Sequence, residues 1–437
     1  MNFWDLSGDV VALIGFFALF ALMLLRVPVG MAMGLVGVLG FAYLVGGEPA
    51  LKNVGHTTAR TVTDYNFAVI PLFLLMGSFA TTSGMSRELF RAANAFLGHL
   101  RGGLGIATIA ACGGFAAICG SSVATAATFS RVAYPEMRRY NYPQSFSTGV
   151  IAAGGTLGIM IPPSTVFAVY GLITEQDVGK LFIAGILPGL LAISMYMLTI
   201  SIIGVVRPGY LPAGPRMTWR ERAAAVRDVW ATLLLFIFVI GGLYGGLFTA
   251  TEAAGAGAGG AFIIGVLRGR LSVQDILRSL LETTRTTAAV FTVLIGALLF
   301  GYFLTVTQTP QALTEFLTGL GLGRYGVLAL IMLLYLVLGC LMDALAMIIL
   351  TIPIIFPVIK ELGFDPIWFG VIIVMTVELG LIHPPVGMNI FVIKSVIDDV
   401  KISTIFYGVL PFIVTDIIRL VILIAFPIIA LWLPSHM

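Results

Sequence analysis

The chain alternates long apolar runs with short polar segments. Seven uninterrupted runs have, or nearly have, the length of a membrane-spanning helix: residues 10–25, 31–47, 67–82, 181–206, 229–248, 250–267 and 287–306. The most polar segment, residues 207–228, contains five arginines and is predicted to be cytoplasmic, because cytoplasmic loops of membrane proteins are rich in arginine and lysine. A last run, residues 405–433, contains Asp416 and Arg419, whose role the pattern does not indicate.

Two further apolar runs are interrupted by paired prolines. Residues 147–172 are broken at Pro162-Pro163 and residues 367–396 at Pro384-Pro385. Both breaks share the frame L-G-x-x-x-P-P, and the two frames lie 222 residues apart (379 − 157), as do two further prolines (357 − 135). This spacing indicates an internal duplication. Proline leaves backbone groups without helical partners, which lipid tolerates only around a polar cavity, so both runs are predicted to be broken helices at a site.

Each broken run follows two short apolar arms around a small, polar apex. The first such pair spans residues 103–132, with Gly120-Ser121-Ser122 at its apex, and the second spans residues 327–359, with its apex at residues 339–343. Arms too short to cross lipid around a polar tip are typical of a re-entrant hairpin.

Three polar stretches have a different pattern. Residues 48–65 are predicted to form a polar loop. Residues 86–101 and 307–324 have apolar residues at helical spacing, which predicts amphipathic helices lying flat at the membrane interface.

Composition places these elements in a membrane. Hydrophobic residues make up 59% of the chain, charged residues 10%, and the mean hydropathy is +1.05. The predicted fold class is an all-α polytopic membrane protein: an inverted repeat with two re-entrant helical hairpins and two broken transmembrane helices. The first repeat is predicted at residues 1–206, the linker at 207–228 and the second repeat at 229–437. Counting crossings from the linker gives ten, with the hairpins entering from opposite sides.

Enzyme and pump motifs are missing from the sequence. It contains no H-E-x-x-H, no nucleophile elbow, no Walker A lysine motif and no cysteine–histidine metal cluster. An enzyme or a self-powered pump is therefore not expected.

Five stretches, in order, resemble the large membrane subunit of TRAP (tripartite ATP-independent periplasmic) transporters: IPLFLLMGSFATTSGMS (70–86), GSSVATAAT (120–128), GGTLGIMIPPS (154–164), GGLFTATEAAGAGA (245–258) and LGLIHPPVGMNIFV (379–392). The resemblance implies a sodium-driven importer of organic acids in a bacterial inner membrane, working with a small membrane subunit and a periplasmic binding protein. It also implies an elevator, in which a domain carrying both hairpins moves. The chain departs from the family pattern at His383, where a threonine is common, and at Ala250, where a proline is usual.

Three alternatives to this function or to these sites stay open. A self-sufficient sodium/anion symporter would have the same inverted-repeat architecture. An intramembrane hydrolase or a structural scaffold would show no solute flux. The small residues around the apexes would also suit close helix packing without any ion.

The first ion site is predicted at the first apex. Hydroxyl and carbonyl oxygens there suit a desolvated Na⁺ ion, and broken helices expose further carbonyls. The predicted sodium ligands are Ser121, Ser122, Gly154, Gly155 and Thr156.

The second ion site is predicted at the second apex. An intramembrane carboxylate is a functional candidate by default, and Asp343 is the one carboxylate in this hairpin apex. Its predicted companions are Gly339 and Thr351, with Gly380, His383 and Asn389 across the cavity. The alternative is that Asp343 only braces the hairpin tip.

The substrate is predicted to bind between the two apexes. Hydroxyl and amide donors beside half-helix N-termini suit a carboxylate. The predicted substrate-binding residues are Ser164, Asn389, His383, Pro163 and Pro385. The alternatives are a serine bonded to its own backbone and a structural histidine.

Overall fold

The computed structural model describes residues 7–340 and 342–437, and these are helical without any β-strand. Leu341, in the predicted apex of the second hairpin, and residues 1–6, in the predicted first repeat, lie outside the described residues. The helices of the first half are α1 (Gly8–Leu24), α2 (Val29–Val45), α3 (Gly47–Thr63), α4 (Val69–Thr82), α5 (Met85–Leu97), α6 (Gly103–Cys119), α7 (Ser122–Arg139), α8 (Gln144–Met160), α9 (Thr165–Thr174) and α10 (Val178–Val206). Those of the second half are α11 (Trp219–Tyr244), α12 (Ala250–Leu267), α13 (Val273–Val306), α14 (Thr309–Gly319), α15 (Gly323–Gly339), α16 (Ala344–Glu361), α17 (Pro366–Ile382), α18 (Met388–Val396), α19 (Ile402–Ala425) and α20 (Ile428–Leu431).

The helices have the length and composition of membrane spans. Within the described part of the chain, eight helical segments are long and apolar enough to cross a bilayer. Five more apolar helices, including α1, α2 and α6, are shorter. The predicted class, an all-α polytopic membrane protein, is confirmed. The ten crossings and the domain boundaries stay predictions.

Two four-helix segments have nearly matching lengths. Helices α6 to α9 contain 17, 18, 17 and 10 residues, and α15 to α18 contain 17, 18, 17 and 9. In each segment two helices form a hairpin, and the next two are the halves of a helix interrupted at the paired prolines. This order is the one that the duplicated frame predicts.

The prediction of a polar loop at residues 48–65 is wrong, because most of this segment forms the helix α3. Ala50, Thr57 and Thr61 are buried on one side of this helix, while Glu48 and Lys52 form an exposed ion pair one turn apart. The segment is too polar to cross lipid, but its buried side packs against α2 and α13. Helical amphipathicity thus accounts for a segment whose polarity alone suggested a loop.

Helix α13 begins earlier than the apolar pattern indicated. A capping box between Ser272 and Asp275 starts the helix at Val273, inside the basic segment, and the helix runs for 34 residues. A capping box also starts α12, where the side chains of Thr249 and Glu252 each accept a hydrogen bond from the other residue's backbone amide.

The two broken helices lie at the centre of the fold. Every residue of α8 from Phe146 to Met160 is buried, as is every residue of α17 from Trp368 to Ile382. Helices α6, α7 and α19 pack around α8, and α10, α15, α16 and α19 pack around α17. The first paired-proline break is buried in protein, whereas Pro385 of the second break is exposed, and irregular backbone at membrane depth is tolerated in protein or beside a water-filled cavity.

Candidate functional site

The first hairpin apex packs directly on the first helix break. Gly120 ends α6 with φ +62°, and a Cβ built on it would lie 2.7 Å from the Pro163 carbonyl oxygen. The Thr165 hydroxyl, at the start of α9, donates to the Gly120 carbonyl at 3.1 Å. A glycine is required here by both backbone conformation and space.

Ser121 begins the second arm of this hairpin. Its hydroxyl accepts from the Ala124 amide at 3.3 Å, which makes Ser121 the N-cap of α7. Its carbonyl accepts from the Thr125 hydroxyl at 2.8 Å. Gly158 of α8 lies against this carbonyl, since a Cβ there would approach it to 2.5 Å. The Ser121 oxygens therefore lie beside the middle of the first broken helix.

Ser122 meets the second broken helix. The Asn389 side chain, in the first turn of α18, forms two contacts with the Ser122 hydroxyl, of 3.0 Å from its oxygen and 2.7 Å from its nitrogen. Both residues are buried. Gly155 of α8 completes the group, because a Cβ there would lie 3.2 Å from the Asn389 side-chain nitrogen. Asn389, predicted across the cavity from Asp343, is thus at the first apex.

The other residues predicted for the first ion site face different neighbours. Gly154 packs on α6, where its Cβ would meet the Cys112 sulfur at 2.7 Å. The Thr156 hydroxyl donates to the Ala153 carbonyl at 2.8 Å and lies 3.3 Å from the Tyr196 hydroxyl of α10. Only part of the predicted first set converges at the apex.

Ser164 is the N-cap of α9. Its hydroxyl accepts from the Phe167 amide at 3.3 Å and donates to the Ile159 carbonyl across the break. Its side chain is fully buried. These are the local backbone bonds weighed as the alternative to substrate binding.

The second apex packs on the second helix break through two glycines. A Cβ on Gly380 would lie 2.8 Å from the Gly339 Cα, and one on Gly339 would lie 3.0 Å from the Gly380 Cα. The next residue, Cys340, contacts the break with its thiol, 3.9 Å from the His383 Nδ1 and 3.5 Å from the Pro384 carbonyl. The His383 Nδ1 lies 2.6 Å from that same carbonyl. The imidazole is therefore turned back on its own chain, and Pro385 is exposed.

Two residues predicted for the second ion site do not lie against its glycines. Asp343 is exposed and caps α16 by accepting from the Leu345 amide at 3.1 Å. The Thr351 hydroxyl is bonded to the Tyr335 hydroxyl, between the two arms, and to the Met347 carbonyl.

One group of buried polar residues was missed by sequence reasoning. It comprises Tyr196, Glu378, Asp416 and Arg419, all without solvent exposure. Only Asp416 and Arg419 were singled out, without a role. A signal for Glu378 existed, since a carboxylate inside a membrane run is a functional candidate.

Two cavities open beside this core, and neither is lined by a predicted site residue among the described residues. The larger, about 1000 Å³, lies near Arg60, Asp64, Glu175 and Asp177. The smaller, about 480 Å³, is lined on its charged side by Arg87, Arg91, Arg131, Arg270 and Glu88. A residue near the apex, Thr81, lines the smaller cavity.

The arrangement brings carbonyl, hydroxyl and amide groups together at two interrupted helices. Oxygen donors of this kind suit a hard cation, and helix N-termini such as those of α9 and α18 suit an anion. Such geometry is suited to binding ions and small polar molecules.

Comparisons with known proteins agree with this geometry. Residues 16–429 match the family described as "Tripartite ATP-independent periplasmic transporter, DctM component". The chain is 39% identical over 405 residues to the C4-dicarboxylate TRAP transporter large permease protein DctM of Pseudomonas aeruginosa, covering 92% of this chain and 94% of that protein. It is 32% identical over 375 residues to the sialic acid TRAP transporter large permease protein SiaM of Vibrio cholerae, covering 86% and 87%.

A solved structure shares the fold. The YdaH transporter of Alcanivorax borkumensis, described as having an unusual topology, superposes with a TM-score of 0.60 over 90% of each chain, at 16% identity. The family match and the sequence relatives confirm the resemblance carried by the five stretches. The chain belongs to the family of large permease subunits, the DctM components, of tripartite ATP-independent periplasmic (TRAP) transporters.

Proposed function

We propose that this subunit is a sodium-coupled secondary importer that carries an organic acid across the bacterial inner membrane. The observation that carries the proposal is the packing of each hairpin apex on a paired-proline break, at Gly120 with Pro163 and at Gly339 with Gly380. Two such units at the centre of a membrane bundle are the arrangement from which secondary transporters build midplane sites.

Sodium would bind at the two apexes. At the first, the ligands are the oxygens of Ser121 and Ser122, with backbone carbonyls beside Gly154, Gly155 and Thr156. At the second, they are carbonyls near Gly339 and Gly380, with Asp343 and Thr351 contributing after rearrangement of the tip. Because the His383 ring is held by the Pro384 carbonyl, backbone oxygens rather than the imidazole supply this second site.

The substrate would bind between the apexes as a carboxylate. Ser164 and Asn389 are engaged in protein hydrogen bonds, so their main contribution is to hold the N-termini of α9 and α18 in place. The backbone amides there, beside Pro163, Pro385 and His383, then receive the anion. The names of the compared relatives include a C4-dicarboxylate and sialic acid, and we infer an organic acid without specifying which.

Two partners and a moving domain complete the proposal. A periplasmic binding protein delivers the acid, and a small membrane subunit associates with this chain, as the tripartite family name implies. The hairpins and broken helices, α6 to α9 and α15 to α18, move together as the elevator. The remaining helices, including the tightly packed α2 and α13, stay with the small subunit.

Uptake into proteoliposomes tests the proposal. Vesicles holding this chain and its small subunit are given an inward sodium gradient and labelled carboxylates, with or without the binding protein. Uptake that needs both sodium and the binding protein supports it. Uptake with sodium alone supports the self-sufficient symporter, and an absence of flux under every condition overturns both.

A further inference from the structure

A buried ionic network lies between the two broken helices. The Arg419 Nη2 atom is 2.7 Å from the Glu378 Oε2 and 3.0 Å from the Asp416 Oδ1. The Tyr196 hydroxyl donates to both oxygens of Asp416, at 2.8 Å each. All four side chains have no solvent exposure. They come from three helices: α10, α17 and α19.

One end of the network reaches α8 beside the proposed first ion site. The Tyr196 hydroxyl lies 3.3 Å from the Thr156 hydroxyl of α8. Thr156 in turn donates to the carbonyl of Ala153, the residue before Gly154-Gly155. A displacement of Tyr196 would therefore be transmitted to the stretch of α8 that faces the first apex.

The other end reaches the second ion site. Glu378 lies on α17, two residues before Gly380, whose backbone is in contact with Gly339 of the second hairpin. The ionic contact to Arg419 anchors this turn of α17 to α19. The network thus connects, atom to atom, the two interrupted helices on which the two apexes pack.

Close packing alone does not explain these residues. Two carboxylates face one guanidinium, and desolvating such a group costs more than an apolar core of equal volume would. The Nε and Nη1 atoms of Arg419 and the Oε1 atom of Glu378 have no hydrogen-bond partner in the protein. Buried polar groups of this kind are best known for fixing one relative position of the elements that carry them.

We propose that Tyr196, Glu378, Asp416 and Arg419 are positioning residues that hold the two sodium sites in register with each other. The inference rests on the sodium coupling proposed above. In this proposal, none of the four side chains contacts a sodium ion. Each acts through the helix turn that it anchors, so loss of one link weakens sodium binding while the apex residues remain unchanged.

The test uses Tyr196→Phe, which removes the hydroxyl linking Thr156 to Asp416 and little else. We expect the sodium concentration for half-maximal uptake to rise about tenfold, the effect of one hydrogen bond to a charged group, with the maximal rate largely retained. Heat unfolding of the detergent-purified protein at a series of sodium concentrations provides a second readout that is independent of transport. Tyr196→Phe should need about tenfold more sodium than the wild type to reach the same rise in melting temperature.

The matched control is Tyr142→Phe. Tyr142 is also buried and also loses one hydrogen bond, to the Pro212 carbonyl at 2.6 Å, but it lies outside the network. Its sodium dependence should match that of the wild type. Should Tyr196→Phe fail to fold, Asp416→Asn weakens the same link by removing the carboxylate charge, and it leaves Glu378 as the one carboxylate paired with Arg419.

The outcomes separate the two proposals. A wild-type protein without any sodium dependence overturns the proposed coupling, and this inference with it. A sodium-dependent wild type with an unchanged sodium requirement in both Tyr196→Phe and Asp416→Asn overturns only the inference. If Tyr196→Phe and Tyr142→Phe raise the sodium requirement equally, the inference is overturned as well, because the shift would then reflect a general loss of stability.

Discussion

Ser122 and Asn389, 267 positions apart in sequence, are hydrogen-bonded to each other inside the protein. Ser122 opens the second arm of the first hairpin, and Asn389 opens the second half of the second broken helix. The first hairpin and the second broken helix are therefore in direct contact, with Asn389 of the broken helix at the apex of the hairpin.

Removing this contact should impair transport. In Ser122→Ala the buried Asn389 amide loses both of its contacts with Ser122 and keeps only a long one, 3.5 Å, to the Ala152 carbonyl, so we expect uptake at low sodium to fall about tenfold. Ser130→Ala is the matched control, because Ser130 is equally buried on the same helix and bonds only the Ala126 carbonyl. Equal uptake by the two variants would show that the Ser122–Asn389 contact has no functional role.

The contact between Gly339 and Gly380 allows a second prediction. A methyl group at position 380 would lie 2.8 Å from the Gly339 Cα, a backbone atom that cannot rotate away. We expect Gly380→Ala to cost about 1–3 kcal/mol and to abolish most uptake, as overpacking does elsewhere. Gly301→Ala, in the interior of α13 with nothing within 4 Å of its Cβ, is the control. Heat unfolding and uptake are measured for both, and wild-type behaviour of Gly380→Ala would contradict the close approach.

A third prediction concerns Glu88 at the start of α5. Its carboxylate receives a bidentate contact from Arg268, at 2.9 and 2.8 Å, and a further one from Arg270. Because the Glu88 side chain is only 5% exposed, Glu88→Gln should lower the free energy of unfolding by about 3 kcal/mol. Glu282→Gln removes an exposed ion pair with Arg278 and should change the free energy of unfolding by less than about 1 kcal/mol. Equal melting temperatures of the two variants would refute this difference.

The fourth prediction concerns topology. The exposed residue Arg216 lies in the segment predicted to be cytoplasmic. By the count of crossings, Leu247, between α11 and α12, lies outside, and the exposed residue Arg278, after one more crossing, is cytoplasmic again. Single cysteines at these positions, in a background lacking the three buried native cysteines, are labelled with an impermeant thiol reagent. In intact cells with a permeable outer membrane, only position 247 should react. Labelling of positions 216 and 278 from opposite sides would exclude the ten-crossing scheme.

Local sequence patterns were sufficient to predict the helix breaks and the hairpins. Helix α8 ends at Met160 and α17 at Ile382, each just before its paired prolines. The breaks could be predicted because proline interrupts a helix through its own covalent geometry. Helix α3 was missed because its polarity resembles that of a loop, and its buried side is defined only by contact with other helices.

Long-range partners could not be derived in the same way. Nothing within the sequence around Glu378 indicates that Arg419, 41 positions away, pairs with it, or that Asn389 meets Ser122 instead of Asp343. Such contacts depend on how the helices pack against one another. Packing is determined by the apolar surfaces of all the helices together, so it cannot be derived from a local stretch of sequence. The exposure of Asp343 could not be derived from the sequence either: the carboxylate is an exposed helix cap in the structure.

The most direct test of the proposed transport function is uptake of labelled C4-dicarboxylate and sialic acid into proteoliposomes. They contain this chain with its small subunit and are assayed with and without an inward sodium gradient and the periplasmic binding protein. We predict uptake of one organic acid only when both are present. Equal uptake after replacement of sodium by potassium would contradict sodium coupling, and equal uptake without the binding protein would contradict the tripartite mechanism.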